Sequence, residues 1–397
     1  MTSTNDIHDS NYTAASVAEA RAPRDGAADW ANVNDGGKLP TVLIVAPSIR
    51  IMGGQAVMAK QLLDDFHSSG VRADFQPINP VPPGILGYAE RIKYLRTLVV
   101  SICYVLQLFR RVPRYDIVHI FSASYFSFII AQTPAILISR FYGKAIVLNY
   151  HSGQADDHLR RWGQVVYAIL RLVDRIVVQS EYLVKVFKEH GFESVAIANV
   201  VNVDAFPFVE RETFRPHVLV PRMLDPIYNV GCSIRAFQIV KQQFPEARLT
   251  LLGDGPQEES LRKLVRELQV DDVAFAGRVE REQISDVYRQ HDVFLNSSNV
   301  DNMPISILEA FASGLPVVTT AAGGIPYMIR DRETGHLAPL DDHVALAERL
   351  LEVLRDQPAT RALVHSARNQ LQHYQWPAVA HQWFELYNGL SKHPVAS

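Results

Sequence analysis

The chain is poor in cysteine: Cys103 and Cys232 are its only two in 397 residues, far apart and without metal-ligand spacing. That excludes a disulfide framework and fits buried thiols in a reducing cytosol. No secretory signal is expected either, because the first residues are polar and have no apolar core segment. Neither sign of charge dominates. The formal net charge is −3, so nothing global points to nucleic acid. There is no Asp-x-Asp pair to hold a divalent cation on a diphosphate, no short repeat and no low-complexity array. Long apolar runs are scarce. Residues 97–109 are apolar but too short to span a bilayer, whereas 117–139 lack Asp, Glu, Lys and Arg over a spanning length. That second run contains His119, Gln132, Pro134 and several serines, and it opens as a strand, Ile117-Val118-His119-Ile120-Phe121. A buried strand followed by a core helix is the simpler reading.

What remains is an ordinary globular composition, 48% hydrophobic and 20% charged, with length enough for two or three domains. Residues 1–40 are rich in Ala, Asp, Asn, Ser and Gly without apolar periodicity and are predicted to form a mobile tail. At Thr41 the pattern changes to a strand, Val42 to Pro47, a loop with Gly53-Gly54, and a helix running from Val57 through Phe66 to about Gly70. Further strands are predicted at Ile117–Phe121, Ala145–Tyr150 and Arg175–Gln179, with helical segments between them. A linker is expected over 201–216, where Val, Asn, Asp, Pro and Phe break the pattern. A second alternating series follows, with strands at His217–Val220, Arg248–Leu252, Val273–Ala276, Asp292–Ser297 and Pro316–Thr319. Alternation of short apolar strands with helices predicts parallel sheets covered on both faces. The expected organisation is therefore an N-terminal domain over 41–200, a C-terminal domain over 217–375, and a final amphipathic helix within 376–397 that packs back toward the N-terminal domain.

The most informative segment runs from Asn299 through Val318 to the Gly323-Gly324-Ile325-Pro326 turn. A loop after a strand opens a helix near Pro304, a residue favoured in a first helical turn. The backbone N–H groups of Ile305, Ser306 and Ile307 are expected to point into the cleft with the positive end of the helix dipole, which binds phosphate without further charge. Glu309 lies about one turn in, where a carboxylate can accept two hydrogen bonds from a ribose diol. Gly314 is a natural helix stop.

This segment resembles the C-terminal signature of the family-4 retaining glycosyltransferases of the GT-B fold, the glycosyl transferases group 1. In that signature two glutamates separated by seven residues lead into Glu-Ala-x-Ala-x-Gly-x-Pro-Val-Val and a Gly-Gly pair. Supporting matches are the Gly53-Gly54 loop, Asn199 beside Val200-Val201-Asn202-Val203-Asp204, Gly253-Asp254-Gly255-Pro256, and Gly335-His336-Leu337-Ala338-Pro339. Each alone is weak; their order and spacing from Thr41 onward are specific. The resemblance implies an α/β protein of two Rossmann-like parallel-sheet domains facing across a cleft. It implies that Glu309 binds the ribose hydroxyls and that Asp301, standing where the first glutamate usually stands, contacts the transferred sugar. The backbone of Asn302, Met303, Pro304, Ile305 and Ser306 would wrap the sugar and diphosphate. Arg222 would clamp the diphosphate, and Gly253, Gly255, Arg278 and Val279 would line the nucleoside pocket. From the first domain, His151 in Tyr150-His151-Ser152-Gly153 matches the histidine at the reacting centre, and Gly53-Gly54 would admit the diphosphate from the opposite wall.

Two departures stand out. Asp301 is one methylene shorter than glutamate. The lysine usually found about five residues after the arginine is replaced by Ile227, with Tyr228 and Asn229 as the nearby donors. Loss of a cation facing a leaving diphosphate weakens what is often the largest catalytic contribution. The implied reaction is retaining, metal-independent transfer of a hexose from a UDP- or GDP-sugar to a saccharide or lipid-linked acceptor, in surface polysaccharide or glycolipid synthesis. The expected setting is the cytoplasm, either free or at the inner face of the cytoplasmic membrane, with no cofactor and no nucleic-acid partner. A rival is a glycosyltransferase-like binding or scaffold protein that has lost turnover; another GT-B enzyme, such as an epimerase or phosphorylase, fits the signature less well.

Plainer readings accompany each residue. Gly53-Gly54 could be only a tight turn, His151 a structural histidine, Glu309 a surface glutamate, Asp301 a helix cap, and Arg222 a partner of Asp225. His119 and Cys103 read as core residues. The stretch from Arg91 through Arg114 is an apolar helix with basic ends, either a solvated domain surface or a docking face for anionic membrane.

Overall fold

A computed structural model describes residues 40–48, 54–82 and 93–391. Residues 1–39 of the predicted tail, Gly53, Arg91 and Ile92 lie outside the described residues.

Six strands form the first sheet: β1 (Val42–Ala46), β2 (Ala73–Pro77), β3 (Ile117–Ser122), β4 (Ala145–Tyr150), β5 (Arg175–Val178) and β6 (Val195–Ala196). They are joined by helices α1 (Gly54–Ser68), α2 (Lys93–Arg111), α3 (Thr133–Phe141), α4 (Ala155–Leu170) and α5 (Glu181–Glu189). All pairings are parallel, in the order β2-β1-β3-β4-β5-β6. β1 and β3 are continuous apolar runs because every residue in them is buried between helical layers. The predicted strand over Ile117–Phe121 is β3, and the apolar run after it forms a π-helical turn at Phe128–Gln132 and then α3. No helix among the described residues is long and apolar enough to cross a membrane.

The second sheet contains β7 (His217–Pro221), β8 (Arg248–Leu252), β9 (Val273–Gly277), β10 (Val293–Asn296), β11 (Val317–Thr320) and β12 (His336–Ala338), with α6 (Val230–Gln243), α7 (Glu258–Glu267), α8 (Ile284–Gln290) and α9 (Ile305–Ala312) between strands. Its order is β12-β11-β10-β7-β8-β9, again parallel throughout. The chain order reverses between the neighbouring strands β7 and β10, which opens a crevice at their carboxyl ends. Three helices close the chain: α10 (His343–Arg355), α11 (Gln357–Gln370) and α12 (Trp376–Ser391). α12 returns to the first domain, where Val379, Trp383, Phe384 and Tyr387 share a core with Ile44, Phe66, Phe121 and Val177. This crossing gives the two domains a second covalent tie and fixes one side of the cleft.

Candidate functional site

The two loops that follow β7 and β10 flank the reversal of strand order, and they carry Arg222 and the Asn299–Pro304 segment. Arg222 donates through Nε to the Asn296 side chain (2.9 Å), while its Nη2 lies 2.9 Å from Asp301 Oδ2. This ion pair is not aligned for hydrogen bonding, so Arg222 Nη2 and Asp301 Oδ2 are both buried without a hydrogen-bond partner. The alternative partner, Asp225, instead accepts from the backbone N–H of Ile227. Gly253 and Gly255 explain how the Arg222 loop is held. A Cβ at Gly253 would lie 2.3 Å from the Arg222 carbonyl oxygen, and one at Gly255 2.5 Å from that of Leu224. Both glycines therefore let the turn after β8 pack directly on the arginine loop.

Asp301 does not cap the following helix; its Oδ1 accepts from the adjacent Asn302 N–H. α9 begins after Pro304 with no side-chain cap. Of the three N–H groups predicted to face the cleft, that of Ile307 is taken by the Pro304 carbonyl (3.1 Å), so Ile305 and Ser306 supply the open end. Ser306 Oγ is another buried atom without a hydrogen-bond partner. Met303 is fixed from behind by Asn199, whose amide donates to the Met303 carbonyl (2.9 Å). Position 227 offers no cation, yet the Ile227 carbonyl accepts from the N–H groups of Asn299 and Val300, tying the two loops together through backbone.

Glu309 is buried, 2% exposed. Arg281 donates to its Oε1, and Tyr288 OH donates to its Oε2 at 3.1 Å. A carboxylate has about four acceptor positions, so each oxygen keeps one free while the group is held rigidly. Arg281 and Tyr288 escaped the sequence reading, which favoured Arg278. Arg278 is exposed just after β9, and Val279 is partly buried against the second domain's core cluster that includes Ile307. A single 3-10 turn at Arg281–Gln283 decides which arginine faces the glutamate.

From the first domain, His151 follows β4 and stacks on Phe121, with ring centroids 4.8 Å apart. Its Nε2 is buried without a hydrogen-bond partner. Burial lowers its pKa to about 3, so the imidazole is neutral near pH 7 and offers one donor and one acceptor nitrogen. A Cβ at Gly153 would lie 3.0 Å from the Asp301 carbonyl carbon, and one at Gly323 2.1 Å from the Asp301 oxygen. Asp301 is thus clasped between glycines of both domains, and Gly153 stands two residues after His151. Gly54 opens α1 with nothing within 4 Å of a Cβ built on it, so no protein contact requires glycine there.

A neutral hydrogen-bond chain behind this clasp was not foreseen. Asn302 donates to Gln179 (3.0 Å), Gln179 to Asn149 (2.7 Å), and Asn149 to His119 Nε2 (3.0 Å). His119 Nδ1 then meets Tyr387 OH of α12 at 2.6 Å. Ser180 donates to the side-chain oxygen of Asn302. The signal was a polar residue in or just after each of three neighbouring apolar strands, β3, β4 and β5. Among the described residues no group of three or more His, Cys, Asp or Glu is placed to hold a metal ion.

The glycosyl transferases group 1 family matches residues 207–370, the second domain with its flanking segments. The sulfoquinovosyl transferase of Arabidopsis thaliana is 33% identical over 153 residues, 38% of this chain and 29% of that protein. The phosphatidyl-myo-inositol mannosyltransferase of Mycobacterium leprae is 26% identical over 302 residues, 71% of this chain and 77% of its own length. The chain thus spans under a third of one relative and about three quarters of the other. Among solved structures, that of Anabaena HepE in complex with UDP and glucose superposes with a TM-score of 0.69 at 17% identity, covering 88% of this chain and 99% of the other.

Proposed function

We propose that this chain, a member of the glycosyl transferases group 1 through residues 207–370 with the GT-B fold, transfers a hexose from a UDP- or GDP-sugar to a saccharide or lipid-linked acceptor. One observation carries the reading. Four buried polar atoms make no hydrogen bond: His151 Nε2, two residues before the Gly153 that meets Asp301, Ser306 Oγ at the start of α9, and Arg222 Nη2 and Asp301 Oδ2, which face each other as an ion pair. Buried unpartnered groups are costly, and a ligand with a diphosphate and sugar hydroxyls would satisfy all four.

In this reading Arg222 and the open start of α9 hold the diphosphate, and Glu309 accepts from the ribose diol with its free positions. Asp301 accepts from sugar hydroxyls, and neutral His151 hydrogen-bonds the sugar or the entering acceptor. The bond from the anomeric carbon to the phosphate oxygen breaks as the acceptor oxygen attacks the same face. The departing oxygen takes the acceptor proton, which gives retention. The protein supplies position, water exclusion and charge stabilisation. No step requires a metal ion, since Arg222 and the helix start face the developing charge. The UDP and glucose in the HepE structure, and the lipid named for the mannosyltransferase, support this choice of substrate classes.

A second reading, a nucleotide-sugar-binding protein without turnover, is favoured by Ile227, which leaves Arg222 as the side-chain cation of the diphosphate clamp. The test is calorimetric titration of the wild type and Glu309→Ala with UDP, GDP and ADP in EDTA. Micromolar binding corresponds to about 8 kcal/mol. Binding of one nucleotide, lost in Glu309→Ala, supports the donor site; transfer from that base's sugars then separates enzyme from binder. Failure of all three nucleotides to bind the wild type would sink both.

A further inference from the structure

The helix that the donor site leaves unexplained is α2. Five of its large apolar residues, Leu95, Leu98, Ile102, Leu106 and Phe109, are exposed, with Leu98 at 59% and Leu106 at 57%. At about 100° per residue they fall within an arc of about 80°. The opposite face buries Tyr104 and Leu108 in the first domain's core. The stripe therefore is not the core-facing side of an amphipathic helix; it is a second apolar face turned to solvent. It continues onto α3, where Phe109 packs edge-on against Tyr142 (6.3 Å), Tyr142 against Phe141 (5.1 Å), and Phe141 is 74% exposed. An apolar band of this continuity on a soluble surface marks a contact region.

Charge selects the occupant. Residues 91–114 contain six Arg or Lys and no Asp or Glu, and Arg96, Arg110 and Arg114 are exposed along or just beyond the helix. A second copy of the chain on this stripe would bring two such clusters together, which like-charge repulsion opposes. An anionic bilayer supplies both an apolar interior for the stripe and negative headgroups for the flanking arginines. We infer that α2, with Phe141 of α3, docks the first domain on an anionic membrane surface, the helix lying in the interface.

The orientation has a consequence. α2 connects the parallel strands β2 and β3, so it runs against them and its Lys93 end lies at their carboxyl edge, the edge that carries Gly54 and His151. Leu95 and Leu98 are thus the stripe residues nearest the cleft. Docking there presents the first domain's wall to the lipid phase, which favours the lipid-linked acceptor among the two classes proposed above. That preference rests on the transferase reading; docking itself does not.

The test is flotation of the full chain with phosphatidylcholine vesicles, with or without about one third phosphatidylglycerol. The wild type should float with the anionic vesicles and stay behind with the neutral ones, and high salt should reverse binding. Leu98→Glu with Ile102→Glu should weaken binding more than about tenfold. Arg110→Gln and Arg114→Gln should each cost about fivefold. All four positions are exposed, and unchanged urea midpoints and nucleotide affinity would establish that the variants fold. Absence of the wild type from both floating fractions overturns the inference. So does a wild-type dimer that Leu98→Glu with Ile102→Glu converts to monomer, since the stripe would then be a self-interface.

Discussion

Two buried arginine–aspartate pairs, one reaching the second domain from the inter-domain segment and one within that domain, differ in what surrounds them. Arg211 and Asp292 have side chains 6% and 3% exposed. Arg211 donates to the carbonyls of Val209, Ser313, Gly314 and His291, while Asp292 also holds Arg215. Every charge there is answered by the protein. Arg222 and Asp301 are nearly as enclosed, at 11% and 12%, yet each keeps a buried atom with no hydrogen-bond partner. The first pair fastens the inter-domain segment to β10 and the Gly314 turn. The second is held in register by Asn296, Gly253, Gly323 and Gly153, with part of its bonding capacity unspent. A pair completed by the fold is structural; one positioned by the fold but left incomplete is what the proposed donor site requires.

The contrast is sharpest in paired substitutions. Arg211→Ala leaves Asp292 to Arg215 alone and strands several buried carbonyls, and removal of one partner of a buried pair costs about 3–5 kcal/mol. Urea denaturation should show that loss. Arg222→Ala removes one ion pair and the bond to Asn296, so it should lower the urea midpoint less than Arg211→Ala does, and it should lower transfer by about 10²–10³, the scale of one lost donor facing developing charge. A turnover loss in Arg222→Ala matched by an equal loss of stability would erase the distinction between the two pairs.

Protonation extends the comparison to the first domain. His119 and His151 are both pushed down to about 3 by burial, from an ordinary value of 6.5. Unfolded histidine takes up its proton near 6.5 and the folded rings only near 3, so between these values the unfolded state binds more protons. Their contribution is complete above pH 6.5 and is lost as pH falls toward 3, on the order of a few kcal/mol. Urea midpoints from pH 7.5 to 4.5 should fall, and the fall should be shallower in His119→Phe. An unchanged slope would mean His119 is not held neutral by the fold.

Much of this is legible in the sequence. β1, β3 and β4 are apolar runs because they are buried on both faces, and α9 was bracketed by Pro304 and Gly314, the latter in the left-handed conformation at φ +73°. β2 was not, because Ala73–Pro77 is an edge strand with an exposed Asp74 and carries no apolar run. β6 and β12, two and three residues long, are too short for a pattern. Glu309, Asp301 and Arg222 could be named because the motif fixes their spacing along the chain. Their partners could not. Arg281 differs from Arg278 only through the turn between them, and Gln179 is one polar residue after a strand until Asn302 arrives from the other domain.

That last contact defines the smallest effect and the finest comparison, between charged and neutral halves of the cleft. Gln179 accepts from Asn302 and donates to Asn149, so it joins the donor loop to the first domain without touching the proposed reacting atoms. Gln179→Met keeps the volume and removes both bonds, at a net cost of about 1 kcal/mol each if neighbouring groups find water. If the amide chain holds the domains together around the donor, the substitution should raise the donor KM about fivefold to tenfold and leave kcat nearly unchanged. A structural role alone would lower the urea midpoint and leave KM where it was. Steady-state kinetics beside urea denaturation would separate the two, because in the proposed reaction the charged half would act on the leaving group and the neutral half on the fraction of molecules able to receive the donor.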